Sequence, residues 1–409
     1  MKVEQRFPAG PDITVEDLLA EVAREPEGGR LAVGDERVVE FLVKFARKLL
    51  APATARRFPE LASLGFFLRR GEIAKALATL STPDGVLRFP RGLVFHVPPA
   101  NVDTIFVYSW ALSALAGNPN VVRISPRSAG AAAAVIEAMN DALAEADPIV
   151  ARTQRMITYG RDDAVTAALS RACELRVVWG GDRSVTEVRK HPLAAHARDL
   201  TFPDRASFAA ISVAGWESAS AERRREAAVG FYNDSYWFDQ AACASPRTLL
   251  WVGDAERAEA AREEFRDLLA EVVAAKRFVV EPAMAVQKRV SAYGVAAEGH
   301  ATRIRFSGNA VATLELGSGA DLPREWLGVG TFPQLTLPSL AEFGRFVQRK
   351  DQTLSVFGFS RDEVLDFVRG LGGRGIDRVV PFGKALDFAA VWDGYDLLAE
   401  FSRLTTVIA

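Results

Sequence analysis

The sequence predicts an α/β protein with a parallel, helix-covered sheet, and three observations carry the prediction. From Leu93 onward, short apolar runs alternate with longer helix-compatible stretches, the pattern of strands joined by helical crossovers. Near Asp204 a second region opens with Ser207-Phe208-Ala209-Ala210-Ile211-Ser212-Val213, and 409 residues are enough for two sizeable cores. Ahead of both, Val38, Phe41, Leu42 and Phe45 recur at three- and four-residue spacings, the period of a helix with one buried face.

Taken in order, Thr14 to Leu80 reads as mostly helical, a helical layer within a segment 1–90 that joins the next domain. The alternation then runs strand 93–97, helix 103–116, strand 120–125, helix 128–145, strand 155–159, helix 163–172, strand 175–179 and helix 182–190, a nucleotide-binding α/β domain over 91–203. Thr104 to Ala116 is the most apolar stretch. At about 13 residues, with Tyr108, Ser109, Trp110 and Ser113 inside it, it is too short to span a bilayer and suits a buried core helix. The alanine-rich run Ala129 to Ala146 favours helix. A catalytic domain is expected over 204–381, and a C-terminal segment 382–409 is expected to pack back on the first domain or to form an oligomer interface.

Composition excludes several classes. A formal charge of −2 offers no basic field for nucleic acid, and the run Arg223-Arg224-Arg225 stands among acids as a solvated helix face would. Two cysteines, Cys173 and Cys243, make no disulfide framework and point to a reducing compartment. His96, His191, His196 and His300 lack zinc-protease spacing, so surface or packing roles are expected and no metal site. The start, Met1-Lys2-Val3-Glu4-Gln5-Arg6, has no secretory pattern, and a cytoplasmic protein is expected.

Open parallel sheets take ligands at the carboxyl ends of their strands, which singles out three loops: Pro98 to Asn101, Ser125 to Ser128, and Gly180-Gly181. The glycine pair follows a strand and precedes a helix, the setting in which backbone approaches a pyrophosphate without Cβ interference; an ordinary tight turn has the same look. Gly370-Leu371-Gly372-Gly373-Arg374-Gly375 matches the dinucleotide spacing in the reverse setting. It follows a helix, Arg361 to Arg369, and precedes a strand, Asp377 to Val380, so it reads as a helix C-cap and turn.

With these segments in view, Pro98-Pro99-Ala100-Asn101-Val102 and the apolar helix leading to Ala116-Gly117-Asn118 resemble the oxyanion-asparagine segment of the aldehyde dehydrogenase superfamily. Val121-Val122-Arg123-Ile124-Ser125-Pro126-Arg127-Ser128 resembles its ribose-binding strand end, Trp179-Gly180-Gly181 its glycine turn, and Gln240-Ala241-Ala242-Cys243 its nucleophile loop, in the same order. Within the superfamily, Asp239-Gln240-Ala241-Ala242-Cys243-Ala244-Ser245-Pro246, Val178-Trp179-Gly180-Gly181-Asp182 and Trp392-Asp393-Gly394-Tyr395 are similar to the long-chain acyl-CoA reductase family of bacterial luminescence, over roughly residues 90 to 405. The resemblance implies an aldehyde-dehydrogenase-like fold: a Rossmann-type cofactor domain, an α/β catalytic domain and an N-terminal helical layer.

It also implies a chemistry. A Cys243 thiolate attacks an acyl thioester while Asn101 and the Cys243 backbone amide hold the oxyanion; hydride from a nicotinamide reduces the acyl-cysteine, and collapse of the thiohemiacetal releases an aldehyde. By residue type alone Cys243 reads as a buried structural thiol, and the ordered motifs reverse that reading, whereas Cys173 keeps it. Asn101 also stands where a helix cap is wanted, and the two roles are compatible.

Oxidising relatives carry a Glu-Leu-Gly-Gly-Lys segment whose glutamate activates water. The corresponding stretch here, Asp199 to Arg205, has no glutamate, which favours thioester reduction over acid production. After Ser125 and Pro126, Arg127 and Ser128 stand where NAD-selective relatives place an acidic residue, so NADPH is expected over NADH.

Glu342, in Ser339-Leu340-Ala341-Glu342-Phe343-Gly344, resembles the glutamate that contacts the nicotinamide ribose; an exposed carboxylate is the other reading, because Arg345 replaces the usual following proline. Phe106, Tyr108, Trp110, Phe231, Tyr232, Tyr236, Trp237 and Phe238 read as core or as an acyl tunnel. The implied substrate is a fatty acyl-CoA or a carrier-protein acyl thioester, the implied partners an acyl-activating synthetase and further copies of the chain. An aldehyde-oxidising dehydrogenase and a non-catalytic thioester-binding protein of the same fold stand as alternatives.

Overall fold

The structure is a computed structural model that describes residues 1–25, 28–99, 105–126, 130–319 and 322–408. The chain forms two compact units, Met1–Pro203 with Phe388–Ala409, and Asp204–Asp387.

The first unit holds a seven-stranded sheet in the order Ile13–Thr14, Lys2–Phe7, Gln154–Thr158, Asn120–Ile124, Val94–Val97, Leu175–Trp179, Arg198–Phe202. The last five run parallel, and Lys2–Phe7 joins them antiparallel. Strands 94–97, 154–158 and 175–179 are buried along their whole length, as expected of strands covered on both faces. Helix Asp163–Ala172 and strand Leu175–Trp179 have their predicted bounds, and the neighbouring elements differ by one to three residues at an end. Lys2–Phe7 is a strand that the sequence reading did not mark. Its buried face consists of little more than Val3 and Phe7.

The helical layer comprises Val15–Ala23, Glu36–Leu49, Pro52–Arg57, Pro59–Phe67 and Arg70–Ala78. Helix Glu36–Leu49 buries Val38, Phe41, Leu42 and Phe45, each contributing roughly 1.5–3 kcal/mol. Phe41 and Phe45 set their edges against Trp110, with ring centroids 6.1 and 6.4 Å apart. Trp110 belongs to helix Ile105–Leu115, every residue of which is buried, so Phe106, Tyr108 and Trp110 are core residues. His96 is wholly buried between Ser109 Oγ at 3.0 Å and Asn120 Oδ1 at 2.9 Å, and burial brings its pKa down to about 4.

The C-terminal residues complete this unit. Strand Ser402–Thr406 pairs antiparallel with Val86–Pro90, and Asn118 donates to the Phe401 carbonyl at 2.8 Å while accepting from the Arg91 and Gly92 amides. Trp392-Asp393-Gly394-Tyr395 forms a two-residue hairpin. Asp393 and Gly394 take φ 51° and 78°, the positive values such a turn requires.

The second unit has seven strands in the order Ala301–Ser307, Val311–Leu316, Thr331–Leu337, Pro246–Val252, Ala206–Ser212, Asp351–Phe357, Arg378–Pro381, all parallel except the first. Period-2 alternation divides its core. Ala209, Ile211, Leu249 and Trp251 pack with helices Ala221–Tyr236 and Ala255–Ala275, and Phe208, Ala210, Leu250 and Val252 pack with Leu340–Phe343 and Arg361–Leu371. Helix Arg361–Leu371 starts on a Ser360–Glu363 capping box and ends at Gly372 in the left-handed conformation, so the 370–375 glycines are a C-cap and turn.

Candidate active site

In the first unit, strand Val94–Val97 lies between Asn120–Ile124 and Leu175–Trp179, and the strand order reverses around it. At such a reversal, open α/β sheets bind ligands beyond the carboxyl ends of the strands. Pro98 and Pro99, Ser125 and Pro126, and Gly180 and Gly181 follow these three strands directly. Asn101, Arg127 and Ser128 lie outside the described residues.

Gly180 has φ 157°, and a Cβ there would stand 3.1 Å from Ser184 Cβ. Gly181 is the N-cap of helix Asp182–Arg189 and offers no side chain to cap it, leaving a helix amino end suited to an anion. Trp179 stacks on Phe202 at 3.6 Å with an interplanar angle of 7°, and its buried indole N–H has no partner among the described residues. A glycine pair that brings no Cβ and a helix amino end without a side-chain cap from Gly181 fit a dinucleotide phosphate.

Cys243 stands in the second unit, between helix Ala221–Tyr236 and strand Pro246–Val252. The chain reaches it through three successive non-glycine residues with positive φ: Phe238 at 54°, Asp239 at 51° and Gln240 at 62°. Each costs roughly 1–2 kcal/mol, so the surroundings have to impose the turn. Gln240, 1% exposed, accepts the Gly330 N–H at 2.8 Å and donates to the carbonyls of Pro246 at 2.9 Å and Thr331 at 3.4 Å. Trp326 donates its indole N–H to the Asp239 carbonyl at 2.9 Å. Gly330 is confined to glycine, because at φ 67° a Cβ would fall 2.0 Å from the Ala310 carbonyl.

The far side of the cysteine is tied to the sheet. Ser207 Oγ donates to the Cys243 carbonyl at 2.6 Å and accepts the Thr353 N–H at 3.2 Å. Gln352 Nε2 lies 3.4 Å from Cys243 Sγ. Both strands flanking Ala206–Ser212 slip register at this level, between Pro246 and Thr248 on one side and between Asp351 and Leu354 on the other. Such bulges re-aim side chains. Burial lowers the pKa of Arg247, four residues after the thiol, against the opposing pull of negative charge at Cys243 and Asp204; guanidinium and thiolate attract one another.

Cys243 is partly exposed, whereas Cys173 is buried, donates to the Ser170 carbonyl at 3.3 Å and has its thiol pushed up to about 12 by burial. Cys173 is therefore protonated and inert at neutral pH.

Glu342 lies in the short helix Leu340–Phe343, on the crossover from Thr331–Leu337 to Asp351–Phe357. Its carboxylate pairs with Arg345 at 2.9 Å. In the stretch that lacks a glutamate, Asp199 is held by the buried Arg176 at 2.7 and 3.0 Å. Phe231, Tyr232 and Tyr236 are core residues. No group of three or more His, Cys, Asp or Glu that could hold a metal occurs among the described residues, and no helix there is long and apolar enough to cross a membrane.

The family model of acyl-CoA reductase (LuxC) matches residues 84–297, more than half of the chain and inclusive of the cysteine loop. The chain belongs to the acyl-CoA reductase family. A curated relative, long-chain acyl-protein thioester reductase 2 of Photobacterium leiognathi, is 25% identical over 170 residues, 41% of this chain and 34% of that protein, so the match spans about a third of the relative's length.

Among solved structures, an NAD-dependent aldehyde dehydrogenase from Sinorhizobium meliloti superimposes with a TM-score of 0.68 at 16% identity, over 96% of this chain and 86% of that one. A putative aldehyde dehydrogenase from Burkholderia cenocepacia gives 0.66 at 15%, over 100% and 95%. This acyl-CoA reductase family member therefore has the aldehyde-dehydrogenase-like fold.

Sequence reading missed Ser207, Gln352 and the bracing role of Gln240. The only available signal was Gln240's place in the cysteine motif; Ser207 and Gln352 meet Cys243 across 36 and 109 residues of chain.

Proposed function

We propose that this protein reduces an acyl thioester, a fatty acyl-CoA or a carrier-bound acyl group, to an aldehyde through an acyl-cysteine on Cys243, with NADPH as reductant. The observation that carries the reading is a partly exposed thiol on a loop braced by Gln240 and Ser207, with an amide donor at its sulfur, in a member of the acyl-CoA reductase family. The name of the curated relative, a long-chain acyl-protein thioester reductase, supports a long acyl chain and a thioester donor.

The Cys243 sulfur attacks the acyl carbon, and the Cys243 backbone amide with Asn101 holds the oxyanion until the departing thiol leaves. When bound, the nicotinamide cofactor supplies the hydride. Ser125, Pro126, Gly180 and Gly181 would hold it, with Arg127 and Ser128 taking the 2′-phosphate that distinguishes NADPH. Asp199 is locked to Arg176, so it is no base for water, and the acyl-cysteine awaits reduction rather than hydrolysis.

The test mixes purified protein with a panel of acyl-CoAs and acyl-carrier thioesters and with NADPH or NADH, beside Cys243→Ala. Cofactor oxidation and aldehyde formation that depend on Cys243 are expected, along with acyl label on Cys243 by mass spectrometry when cofactor is omitted. Label on another residue, or no Cys243-dependent turnover with any donor, sinks the reading.

We further propose that the protein self-associates through the ribbon of Val86–Pro90 and Ser402–Thr406. A two-stranded ribbon is marginal in water without cover, and this one exposes Leu87, Phe89 and Leu404. An acyl-activating synthetase is the proposed upstream partner, because the thioester has to be made by an acyl-activating reaction.

A further inference from the structure

We infer that Gln352 is a catalytic residue acting at the sulfur: its side-chain amide donates a hydrogen bond to Cys243 Sγ and stabilises the thiolate both as nucleophile and as leaving group. The inference rests on the proposed role of Cys243.

The geometry is built. Gln352 is 2% exposed, and its Nε2 stands 3.4 Å from Cys243 Sγ. The amide's other end, Oε1, accepts from Thr353 Oγ1 at 3.4 Å, which directs the N–H group rather than the carbonyl toward the sulfur. The register slip between Asp351 and Leu354 provides the re-aimed backbone from which a strand residue reaches the loop. Ser207 locks the arrangement, since its hydroxyl binds the Cys243 carbonyl and the Thr353 N–H together.

The donor discriminates between states of the sulfur. A thiolate is a strong acceptor, and a thioester or thiohemiacetal sulfur is a weak one, so the hydrogen bond favours the states in which charge resides on sulfur. In acylation the Sγ–carbon bond forms, the substrate's carbon–sulfur bond breaks, and its electron pair leaves with the departing thiol. After hydride has added to the carbonyl carbon, collapse re-forms C=O, breaks the Cys243 carbon–sulfur bond and returns the pair to Sγ, where the Gln352 N–H meets it. Asn101 and the backbone amide serve the oxygen; Gln352 serves the sulfur. A neutral amide suits a sulfur that has to accept and release an acyl group in one cycle, because it adds no fixed charge to either state.

Gln352→Leu removes the donor at similar volume, and Gln352→Glu keeps the shape while replacing the N–H with a negative oxygen. Without substrate or cofactor, the rate of Cys243 alkylation by iodoacetamide is followed against pH, with the labelled peptide separated from that of Cys173. Both variants are expected to shift the midpoint upward by about one pH unit or more, Gln352→Glu further than Gln352→Leu, and to lower kcat/KM at neutral pH by about tenfold or more. Folded variants with the wild-type alkylation profile overturn the inference, and if Gln352→Leu fails to fold, the isosteric Gln352→Glu decides. Failure of the parent reading looks different: turnover is then absent with every donor or survives Cys243→Ala, or the acyl label falls on another residue, whereas failure of this inference leaves Cys243-dependent turnover with an unmoved pH profile.

Discussion

Gln240 donates its side-chain amide to the Pro246 carbonyl at 2.9 Å, closing the loop that carries Cys243. Because the same side chain also accepts the Gly330 N–H and donates to Thr331, one buried amide holds the strained 238–240 turn against three backbone groups. Gln240→Leu leaves those groups unsatisfied and is expected to destabilise the protein by about 1–3 kcal/mol. Acyl labelling of Cys243 should slow while the alkylation midpoint stays in place, since this residue orients the thiol without touching it. Denaturant melts and labelling rates check this, and an unchanged stability would show that the loop is held by other means.

The glycine pair Gly180 and Gly181 predicts a selective loss. Gly180→Val puts branched carbon where Ser184 already approaches a notional Cβ at 3.1 Å, and should weaken nicotinamide nucleotide binding at least tenfold, read from quenching of tryptophan fluorescence. Cofactor-free alkylation of Cys243 should be untouched. Equal nucleotide affinity in the variant would move the binding site elsewhere.

Asp234 predicts a pH dependence of stability. It is 1% exposed and accepts the Gly383 and Ala385 amides at 2.8 and 2.9 Å, and burial pushes its carboxyl up to about 7. The folded value lies above the unfolded one, so the folded protein holds this proton more tightly. The group's contribution is whole below about pH 4 and is lost as pH rises through about 7. Asp234→Asn cannot titrate, so unfolding measured at pH 5 and pH 8 should show the variant gaining on the wild type by at least about 1 kcal/mol at the higher pH. A pH-independent difference would mean that Asp234 is ionised throughout.

Self-association through the terminal ribbon has a direct readout. Phe89→Lys and Leu404→Lys alter side chains that are 45% and 53% exposed, so their cost to the fold is expected to stay within about 0.5 kcal/mol. Light scattering coupled to gel filtration should show the double variant at a smaller mass than the wild type. Identical masses would remove this face as an interface.

How far the sequence was legible follows from the range of the interactions. The parallel sheets were readable because each strand is a short apolar run and each crossover a helical one, so that Leu175–Trp179 and Asp163–Ala172 stand out locally. Lys2–Phe7 did not, because only Val3 and Phe7 mark its buried side and its partner, Gln154–Thr158, comes some 150 residues later. The cysteine loop was visible as a motif. Its bracing was not, since Gly330, Ser207 and Gln352 reach it from separate parts of the chain, two of the contacts at register slips that no local pattern announces.

The late pairing of Ser402–Thr406 with Val86–Pro90 orders events during synthesis. Residues 204–387 form a compact unit from one continuous stretch of chain, whereas the first unit is assembled from two stretches, 1–203 and 388–409, the second of which is made only after residues 204–387. Until those emerge, Asn118 has no Phe401 carbonyl to hold and Arg91 no Glu400 or Ser402 carbonyl. The first unit thus carries the long-range closure of the fold, whereas the strands of the cysteine-bearing unit's sheet all come from within one continuous stretch.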